Sequence, residues 1–393
     1  MRILFVAMSN SVHTARWINQ IADQGWEIHL FPSIDYGITH PDLRNVSIYH
    51  STYRVKKNCN PHVKYYGIPV FSTRLNRAIQ RIIGKISPDY RANQLKKIIG
   101  EVKPDIIHSM EFQAAGYLTL KVKKRYTDKF PLWIATNWGS DISYFSRFPE
   151  HKGRIQEILE QCDYYSCECE RDIILAKKLG LKGKILPVLP NTGGFYLEGI
   201  RKFRQPEKIS ERRTILLKGY QGWSGRALAG LKALELCAGS LIGYRIIIFS
   251  ASPEIEIAAE SFSASTKIPV TIIPPSSHED ILKLFGQARI YIGLNISDGI
   301  STSLLEALVM GAFPIQSNTS CANEWIVDGK SGFIVPPEDP EVIALAIRQA
   351  LTDDNLVDSA ARINEETAIK NLDFWVIRQK VIDLYTKLVT DKS

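Results

Sequence analysis

The sequence IYIGLNISDGISTSLLEALVMG, residues 290–311, decides the fold class because it reads as one complete strand–loop–helix unit. IYIGLN is an apolar run of strand length, SDGISTS is a polar loop, and LLEALVM has the apolar density of a packed helix. Gly311 follows as a helix C-cap, and Pro314 lies just beyond it. An apolar strand that leads directly into a helix is typical of a parallel sheet covered on both faces.

The same pattern repeats along the chain in two series. Apolar runs of strand length lie at residues 2–9, 27–33, 46–51, 105–110, 132–138, 164–169 and 185–190, with helical stretches at 12–24, 91–102, 153–161 and 170–180. After an irregular segment at 191–210, further strands are predicted for TILLKG, RIIIFSAS, VTIIPP, IYIGLN, FPIQS and GFIVP. Two such series predict an α/β fold of two doubly wound, Rossmann-like domains facing a cleft. We place these domains at residues 1–195 and 196–373.

Length and composition restrict the class of protein. A chain of 393 residues is too long for one ordinary core, and its 45% hydrophobic and 23% charged residues are typical of globular proteins. No apolar run approaches the roughly 18 residues that a membrane span needs, and the N-terminus lacks a signal-peptide cleavage site. We therefore expect a cytoplasmic protein whose six cysteines are thiols. Cys162, Cys167 and Cys169 match no zinc spacing, and YYSCEC, residues 164–169, reads as a strand that buries alternate residues, so no metal site is expected.

The net charge of +8 is concentrated in one segment. Residues 51–100 hold 11 Lys and Arg against one acid, Asp89, so this segment contributes +10 and the rest of the chain sums to −2. Such segregation indicates an anionic partner or surface at one place.

Part of this basic segment, residues 72–85, has the pattern of an amphipathic helix. Its apolar residues fall on one face, and its cations, which fall near another, are Arg74, Arg77, Arg81 and Lys85, with Arg54, Lys56 and Lys57 nearby in sequence. Residues 54–85 therefore suit an anionic membrane surface. A helix that simply packs on its own domain has the same pattern, so both interpretations stay open.

Ligands of doubly wound sheets bind in loops at the carboxyl ends of strands. Here those loops are residues 9–14, 136–141, 218–226, 274–280 and 297–303. None of them is a Walker loop, and KGYQGWSG lacks the G-x-G-x-x-G spacing of dinucleotide sites. The usual kinds of ATP and nicotinamide enzyme are therefore disfavoured.

The loop and first helical turn of the opening stretch have the composition of an anion site. Amides at a helix N-terminus point outward, the helix dipole favours negative charge, and small side chains let an anion approach. We therefore predict a phosphate or diphosphate site formed by Gly299, Ile300, Ser301, Thr302 and Ser303. Glu306 would repel a phosphate but suits the hydroxyls of a ribose, and Asp298 suits hydroxyls of whatever the diphosphate carries. The alternative is that the serines cap the helix and Glu306 is solvated.

SDGISTSLLEALVMGAFPIQS, residues 297–317, resembles the E-x7-E motif of retaining GT-B-fold glycosyltransferases of family four, whose usual form is EGFGLVLLEAMACG. The continuation CANEWIVDGKSGFIVPPEDPEVIALAI resembles the family's EVVEDGVTGLLVPPGDPEALAEAI. The match is strong across about residues 285–350 and coarser elsewhere. The closing segment DFWVIRQKVIDLYTKL resembles the family's last helix, which implies that residues 374–393 complete the first domain. The resemblance also implies that the first domain binds the acceptor and the second the donor.

The resemblance assigns roles to residues of the second domain. Glu306 corresponds to the glutamate that binds the ribose, and Asp298 stands where a longer acid contacts the donor sugar. Lys218 and Arg226 are the equivalents of a basic pair that neutralises the leaving diphosphate, although their spacing is longer. Ordinary surface charge is the alternative for these two cations.

Candidates on the acceptor side are fewer and less specific. The family often has a histidine where Trp138 follows Asn137 here, and tryptophan cannot transfer a proton. Asp141 in the same loop either binds a sugar hydroxyl or caps the next helix. The remaining acceptor or cleft candidates, each following a predicted strand, are Ser11, His13 and Glu111.

The resemblance implies a hexosyltransferase of bacterial surface polysaccharide assembly. The donor would be a nucleotide-diphosphate sugar, UDP before GDP, and the acceptor a glycan or a polyprenyl-linked glycan. No metal or other cofactor is expected, and the enzyme would work in the cytoplasm, free or peripheral at the inner face of the membrane. The alternatives are an epimerase on the same fold and a non-catalytic nucleotide-sugar-binding subunit. A nucleic-acid partner is not expected, because no recognition module accompanies the basic segment.

Overall fold

The computed structural model describes residues 1–55, 60–70 and 72–390. These residues form two compact units: Met1–Gly193 with Ile377–Ser393, here the N-terminal unit, and Gly194–Val376, here the C-terminal unit. Each unit contains one parallel sheet with helices between its strands. The predicted fold class, two doubly wound α/β units, is confirmed.

The N-terminal unit has an eight-stranded sheet in the order β4-β3-β2-β1-β5-β6-β7-β8. Its strands are β1 Arg2–Ala7, β2 Glu27–Pro32, β3 Val46–Val55, β4 Val63–Val70, β5 Ile106–Met110, β6 Leu132–Thr136, β7 Tyr164–Ser166 and β8 Lys184–Ile185. The helices are α1 Val12–Asn19, α2 Thr73–Ile86, α3 Tyr90–Val102, α4 Tyr117–Lys123, α5 Gly139–Ser143, α6 Pro149–Gln161 and α7 Glu170–Lys178.

The C-terminal unit has a six-stranded sheet in the order β11-β10-β9-β12-β13-β14. Its strands are β9 Thr214–Lys218, β10 Arg245–Phe249, β11 Val270–Ile273, β12 Ala288–Gly293, β13 Phe313–Ser317 and β14 Phe333–Val335. The helices are α8 Leu197–Arg201, α9 Ala227–Leu236, α10 Pro253–Thr266, α11 His278–Gln287, α12 Thr302–Met310, α13 Pro340–Thr352 and α14 Asp354–Leu372. All six strands that the sequence predicts for this half are present.

The last helix, α15 Phe374–Thr390, packs on the sheet of the N-terminal unit. Side chains alternate along a strand, so Ile3 and Phe5 of β1 face one layer, which includes Val381 of α15, while Leu4 and Val6 face the helices on the other side. Both layers consist mainly of apolar side chains, which is why the strands read as hydrophobic runs.

A buried hydroxyl ties α15 to this core. The indole N–H of Trp17 donates to the Tyr385 hydroxyl at 2.9 Å, and that hydroxyl lies 2.6 Å from His108 Nδ1. Burial lowers the pKa of His108 to about 3, so its ring is neutral. The Tyr385 O–H therefore donates to Nδ1, which leaves the Nε2–H of His108 to donate to Thr136 Oγ1 at 2.6 Å.

Several sequence predictions differ from the structure. The strand predicted at 164–169 ends at Ser166, because the chain turns there into the start of α7. The strand predicted at 185–190 is wrong beyond Ile185, because Pro187 and Pro190 have no amide to pair with a neighbour. The helix predicted at 12–24 ends at Asn19. Strand β4 was not predicted, because its apolar residues do not form a continuous run. Among the described residues, no helix combines the length and the apolar character that crossing a membrane requires.

Candidate functional site

Two loops of the C-terminal unit lie together at the carboxyl end of its sheet. β9 ends at Lys218, and the loop that follows it returns to the end of β12, its neighbour in the sheet. The amide of Arg226 donates to the carbonyl of Leu294 at 3.0 Å, and the amide of Ile296 donates to the carbonyl of Ser224 at 3.2 Å. The loop that contains both predicted cations is thereby fixed against the loop that precedes α12.

The N-terminus of α12 has the geometry that the sequence predicts for an anion site. Ser301 is the N-cap in extended conformation, and its side chain accepts no hydrogen bond from the helix amides. Ser301 and Ser303 are buried, whereas Thr302 is half-buried. Gly311, at φ 84°, ends the helix in the left-handed conformation that glycine adopts without strain. An anion at this end of α12 would take the place of a side-chain cap.

A buried carboxylate one turn into α12 is hydrogen-bonded to a histidine. Glu306 is only 5% exposed, and its Oε1 lies 2.8 Å from Nε2 of His278. His278 is the first residue of α11, and 39% of its side chain is exposed. The sequence predicts the loop at 274–280 as part of the site but does not identify His278. A lone loop histidine has no sequence signal, and only the packing of α11 beside α12 brings it to the carboxylate.

Asp298 lies in a turn that several hydrogen bonds hold in place. The amide Nδ2 of Asn295 donates to Oδ2 of Asp298 at 2.7 Å, and the carbonyl of Gly299 accepts from the amide of Cys321 at 2.8 Å. Ser317 Oγ donates to the carbonyl of Asn295 at 2.7 Å. The predicted donor-sugar carboxylate therefore sits on a braced loop rather than on a loose one.

The two predicted cations have different surroundings. Lys218 is 9% exposed, and its Nζ lies 4.5 Å from the centre of the Tyr220 ring. Arg226 is paired with Glu338, since its Nε donates to Oε1 at 2.6 Å, and it also donates to the carbonyl of Gly225 at 3.0 Å. A diphosphate at Arg226 would compete with Glu338 for the guanidinium.

Three of the N-terminal candidates come together at the carboxyl end of that unit's sheet. Ser11 caps α1 by accepting from the amide of His13 at 3.2 Å. The His13 ring meets the Trp138 ring edge-on, with their centres 5.6 Å apart. The indole N–H of Trp138 is buried and has no hydrogen-bond partner among the described residues. This N–H is a donor at the position where the family often has a histidine.

The other three N-terminal candidates bond to their own surroundings. Asn137 is fully buried, and its Nδ2 donates to Oδ2 of Asp172 at 2.8 Å. Asp141 accepts from the amides of Trp138 at 2.7 Å and Phe112 at 2.8 Å, so it caps α5 as one of its two predicted roles.

Glu111 accepts from the amides of Ala114 at 2.8 Å and Ala115 at 2.5 Å. Its φ of 76° is unusual for a residue other than glycine. Burial raises the pKa of Glu111, and burial together with the neighbouring Glu111 carboxylate raises that of Asp141. Both carboxyls are therefore buried and bonded to backbone amides.

The three cysteines around β7 lie outside the strand itself: Cys162 ends α6, and Cys167 and Cys169 follow β7. Cys162, Cys167 and Cys169 are all buried. Burial raises the pKa of Cys162 to about 12, so this thiol stays protonated and is a poor metal ligand or nucleophile.

Comparison with protein families decides the identity. The family described as "Glycosyl transferases group 1" matches residues 258–368, which contain β12, the following loop and α12. The family described as "Glycosyl transferase 4-like" matches residues 2–90 and 90–174 of the N-terminal unit. Both families are glycosyltransferases, so the chain is a glycosyltransferase. The two matches together cover most of this glycosyltransferase, including Asp298 and Glu306.

Solved structures with the same fold have distant sequences. Sucrose-phosphate synthase from Thermosynechococcus elongatus is 13% identical, with a TM-score of 0.72 and coverage of 100% of both chains. The Anabaena protein HepE, solved in complex with UDP-glucose, is 12% identical, with a TM-score of 0.65 and coverage of 98% of this chain and 100% of that one. A glycosyltransferase from Rickettsia africae is 16% identical, with a TM-score of 0.64 and coverage of 99% and 98%. No curated protein sequence gives a significant match to the glycosyltransferase.

Proposed function

We propose that this glycosyltransferase moves a hexosyl group, with retention of configuration, from a nucleotide-diphosphate sugar to a hydroxyl of a glycan or polyprenyl-linked glycan. The observation that carries the proposal is the buried Glu306 carboxylate, 2.8 Å from His278, one turn inside a helix whose N-terminus has no side-chain cap. That arrangement suits a ribose beside a diphosphate. We propose UDP rather than GDP because the similar Anabaena structure is a complex with UDP-glucose.

The chemistry centres on the leaving diphosphate. The bond from the sugar C1 to a diphosphate oxygen breaks, the bond from C1 to the acceptor oxygen forms on the same face, and the hydroxyl proton passes to the departing diphosphate. The first amides of α12, Lys218 and Arg226 would stabilise the charge that develops, at about 3 kcal/mol for each preorganised donor. Because these fixed charges act on the diphosphate, we propose that the reaction needs no metal ion.

The remaining roles follow from the positions of the side chains. Asp298 would contact hydroxyls of the donor sugar from its braced turn. Ser11, His13 and the Trp138 N–H would contact the acceptor or the transferred sugar. Asn137, Asp141 and Glu111 would support that surface, because their polar atoms bond to neighbouring residues.

We also propose that α2 rests on an anionic membrane surface during polysaccharide assembly. Its apolar stripe is exposed, with Leu75 52%, Ile82 57% and Ile86 79% accessible, and its cations lie on the adjacent stripe. Lys56 and Lys57 of the predicted surface lie outside the described residues, and the side chain of Arg54 is likewise not described. The fraction of protein that sediments with phosphatidylglycerol vesicles should be smaller for Ile82→Gln than for wild type. With phosphatidylcholine vesicles, the two proteins should sediment to the same extent.

The primary test measures ligand-induced stabilisation. Wild type and Glu306→Ala are melted with UDP, GDP, ADP and CMP at about 100 times the expected dissociation constant, where binding adds about 2.7 kcal/mol. We expect UDP to raise the wild-type melting temperature and the variant to lose that shift. A wild type that responds to none of the four nucleotides would overturn the proposed donor site.

A second experiment separates transfer from the rival activities. The product anomer formed from UDP-glucose and an acceptor glycan is read by proton NMR. Retention supports the proposal, and inversion contradicts it. Conversion of UDP-glucose to an epimer without acceptor would identify an epimerase, and binding without any product would identify a non-catalytic subunit.

A further inference from the structure

Three arginines surround one cavity of the N-terminal unit. The cavity has a volume of about 570 Å³ and lies between the segment that follows β2, the helix α2 and the start of α3. Its lining residues are Ser33, Ile34, Asp35, Tyr36, Arg77, Gln80, Arg81 and Arg91. The segment after β2 is at the carboxyl end of the sheet, where ligands of this fold class bind.

The charges around this cavity do not balance. Asp35 is its one acidic side chain, and this carboxylate is buried and lies 2.8 Å from Nδ1 of His50. The Arg91 guanidinium is fixed at the cavity wall, because it donates to the carbonyl of Ser33 at 3.1 Å and lies 3.9 Å from Asp35. No acid lies within ion-pair distance of Arg77 or Arg81 in residues 1–55, 60–70 and 72–390.

Two of the three arginines lie next to each other on one helix. Arg77 and Arg81 are one helical turn apart on α2, and like charges at this spacing repel. The Arg77 guanidinium also lies over the Tyr36 ring, 4.7 Å from its centre, which orients it at the cavity wall. An arrangement that repels itself when empty is stabilised by an anion, and guanidinium groups bind phosphate oxygens in bidentate geometry.

The same helix offers a place for an apolar chain. Leu75, Ile82 and Ile86 form an exposed stripe of α2 next to the stripe that contains Arg81. A ligand with a phosphoryl head and a long apolar tail therefore fits this region better than a free sugar phosphate does.

We propose that the cavity of Arg77, Arg81 and Arg91 binds the phosphoryl group of a phosphate- or diphosphate-linked lipid acceptor. This inference rests on the proposed function, because it assumes that the N-terminal unit binds the acceptor. It adds the chemical class of the acceptor linkage and the residues that recognise it. A second cavity, of about 480 Å³, shares Ser33 and Arg91 with the first, and Arg154 is also in its lining.

The test measures binding of farnesyl diphosphate to the full chain by calorimetry, with UDP present to occupy the donor site. Arg77→Gln and Arg81→Gln should each weaken binding about tenfold or more, since each loses a charge-assisted contact. Arg74→Gln is the matched control, because Arg74 is an exposed cation of the same helix that does not line the cavity. All three residues are exposed on α2, so melting temperatures should not change.

The outcomes separate the sources of the phosphoryl group. Loss of binding in both cavity variants but not in Arg74→Gln supports the site, and equal loss in all three overturns it in favour of general surface charge. Farnesol that binds as well as farnesyl diphosphate would also overturn it. Inorganic pyrophosphate that binds as tightly, with the same dependence on Arg81, would overturn the lipid linkage. The UDP-induced melting shift is measured in every variant, so failure of the donor site is seen separately from failure of this inference.

Discussion

Replacing His278 by alanine tests whether the Glu306 pair organises the nucleotide site. The change leaves a carboxylate that is 5% exposed without its 2.8 Å partner. A hydrogen bond to a charged group contributes about 1.5–3 kcal/mol to stability. His278 is 39% exposed, so water replaces part of the lost contact, and we expect a loss below this range, about 1 kcal/mol. For a unit of this size, we expect a fall in melting temperature of about 2–4 °C.

The same change should affect nucleotide binding more strongly than stability. If His278 holds Glu306 in position for the ribose hydroxyls, His278→Ala should weaken UDP binding about tenfold, which corresponds to about 1.4 kcal/mol. Binding of 2′-deoxy-UDP, which cannot use the full diol, should weaken less. Calorimetry gives the affinity for UDP divided by the affinity for 2′-deoxy-UDP. We expect this ratio to be lower for the variant than for wild type.

Rescue and control variants make this experiment decisive. His278→Gln keeps a donor of similar reach and should recover most of the UDP affinity. His62→Ala removes an exposed histidine of the N-terminal unit and should change neither ligand. If His278→Ala binds UDP as tightly as wild type does, the positioning role is refuted. Tighter binding would show instead that His278 competes with the ribose for Glu306.

Three further predictions concern the framework of the site. Tyr385→Phe should destabilise the N-terminal unit by about 1–3 kcal/mol, measured by denaturant unfolding, because Trp17 and His108 lose their buried partner. Gly311→Ala should cost about 1–2 kcal/mol, since its φ is 84° and an added Cβ would lie 3.2 Å from a neighbouring side chain. The stability of Asp141→Asn relative to wild type should increase as pH rises from about 5 to about 8. Thermal melting of both proteins across this pH range measures the difference.

The sign of the last prediction follows from the direction of the shift. Burial raises the pKa of Asp141, so the folded chain retains a proton that the unfolded chain releases above about pH 4. The contribution of Asp141 to wild-type stability therefore falls as pH rises toward the raised pKa. Asparagine does not titrate, so the variant lacks this loss. A constant difference between the two proteins across this range would contradict the argument.

Matched variants check the other two predictions. Tyr196→Phe removes a hydroxyl from a tyrosine that is 52% exposed and should be neutral. Gly239→Ala places a methyl group where nothing lies within 4 Å and should also be neutral. If Tyr385→Phe or Gly311→Ala behaves like its control, the buried hydroxyl or the left-handed cap is not the stabilising feature.

Much of the proposed donor site is local in sequence and is therefore predictable. The strand, loop and helix at 290–311 follow one another directly, so apolar periodicity predicts β12 and α12, and the small polar residues predict the anion site between them. Gly311 was predicted as the C-cap and is one. The strand predicted at 185–190 failed because the apolar pattern does not register whether amides can pair.

The sequence by itself determined the fold class and the resemblance to glycosyltransferases, because each depends on residues that are neighbours along the chain. Only the tertiary structure decided which distant groups meet. His278 reaches Glu306 across 28 positions, Glu338 occupies Arg226 across 112, and Tyr385 reaches His108 across 277. No periodicity encodes such pairs, since they arise where separate helices and loops pack at the end of a sheet. Parallel strands bring these ends together, and side-chain packing then selects which polar atoms share a buried contact.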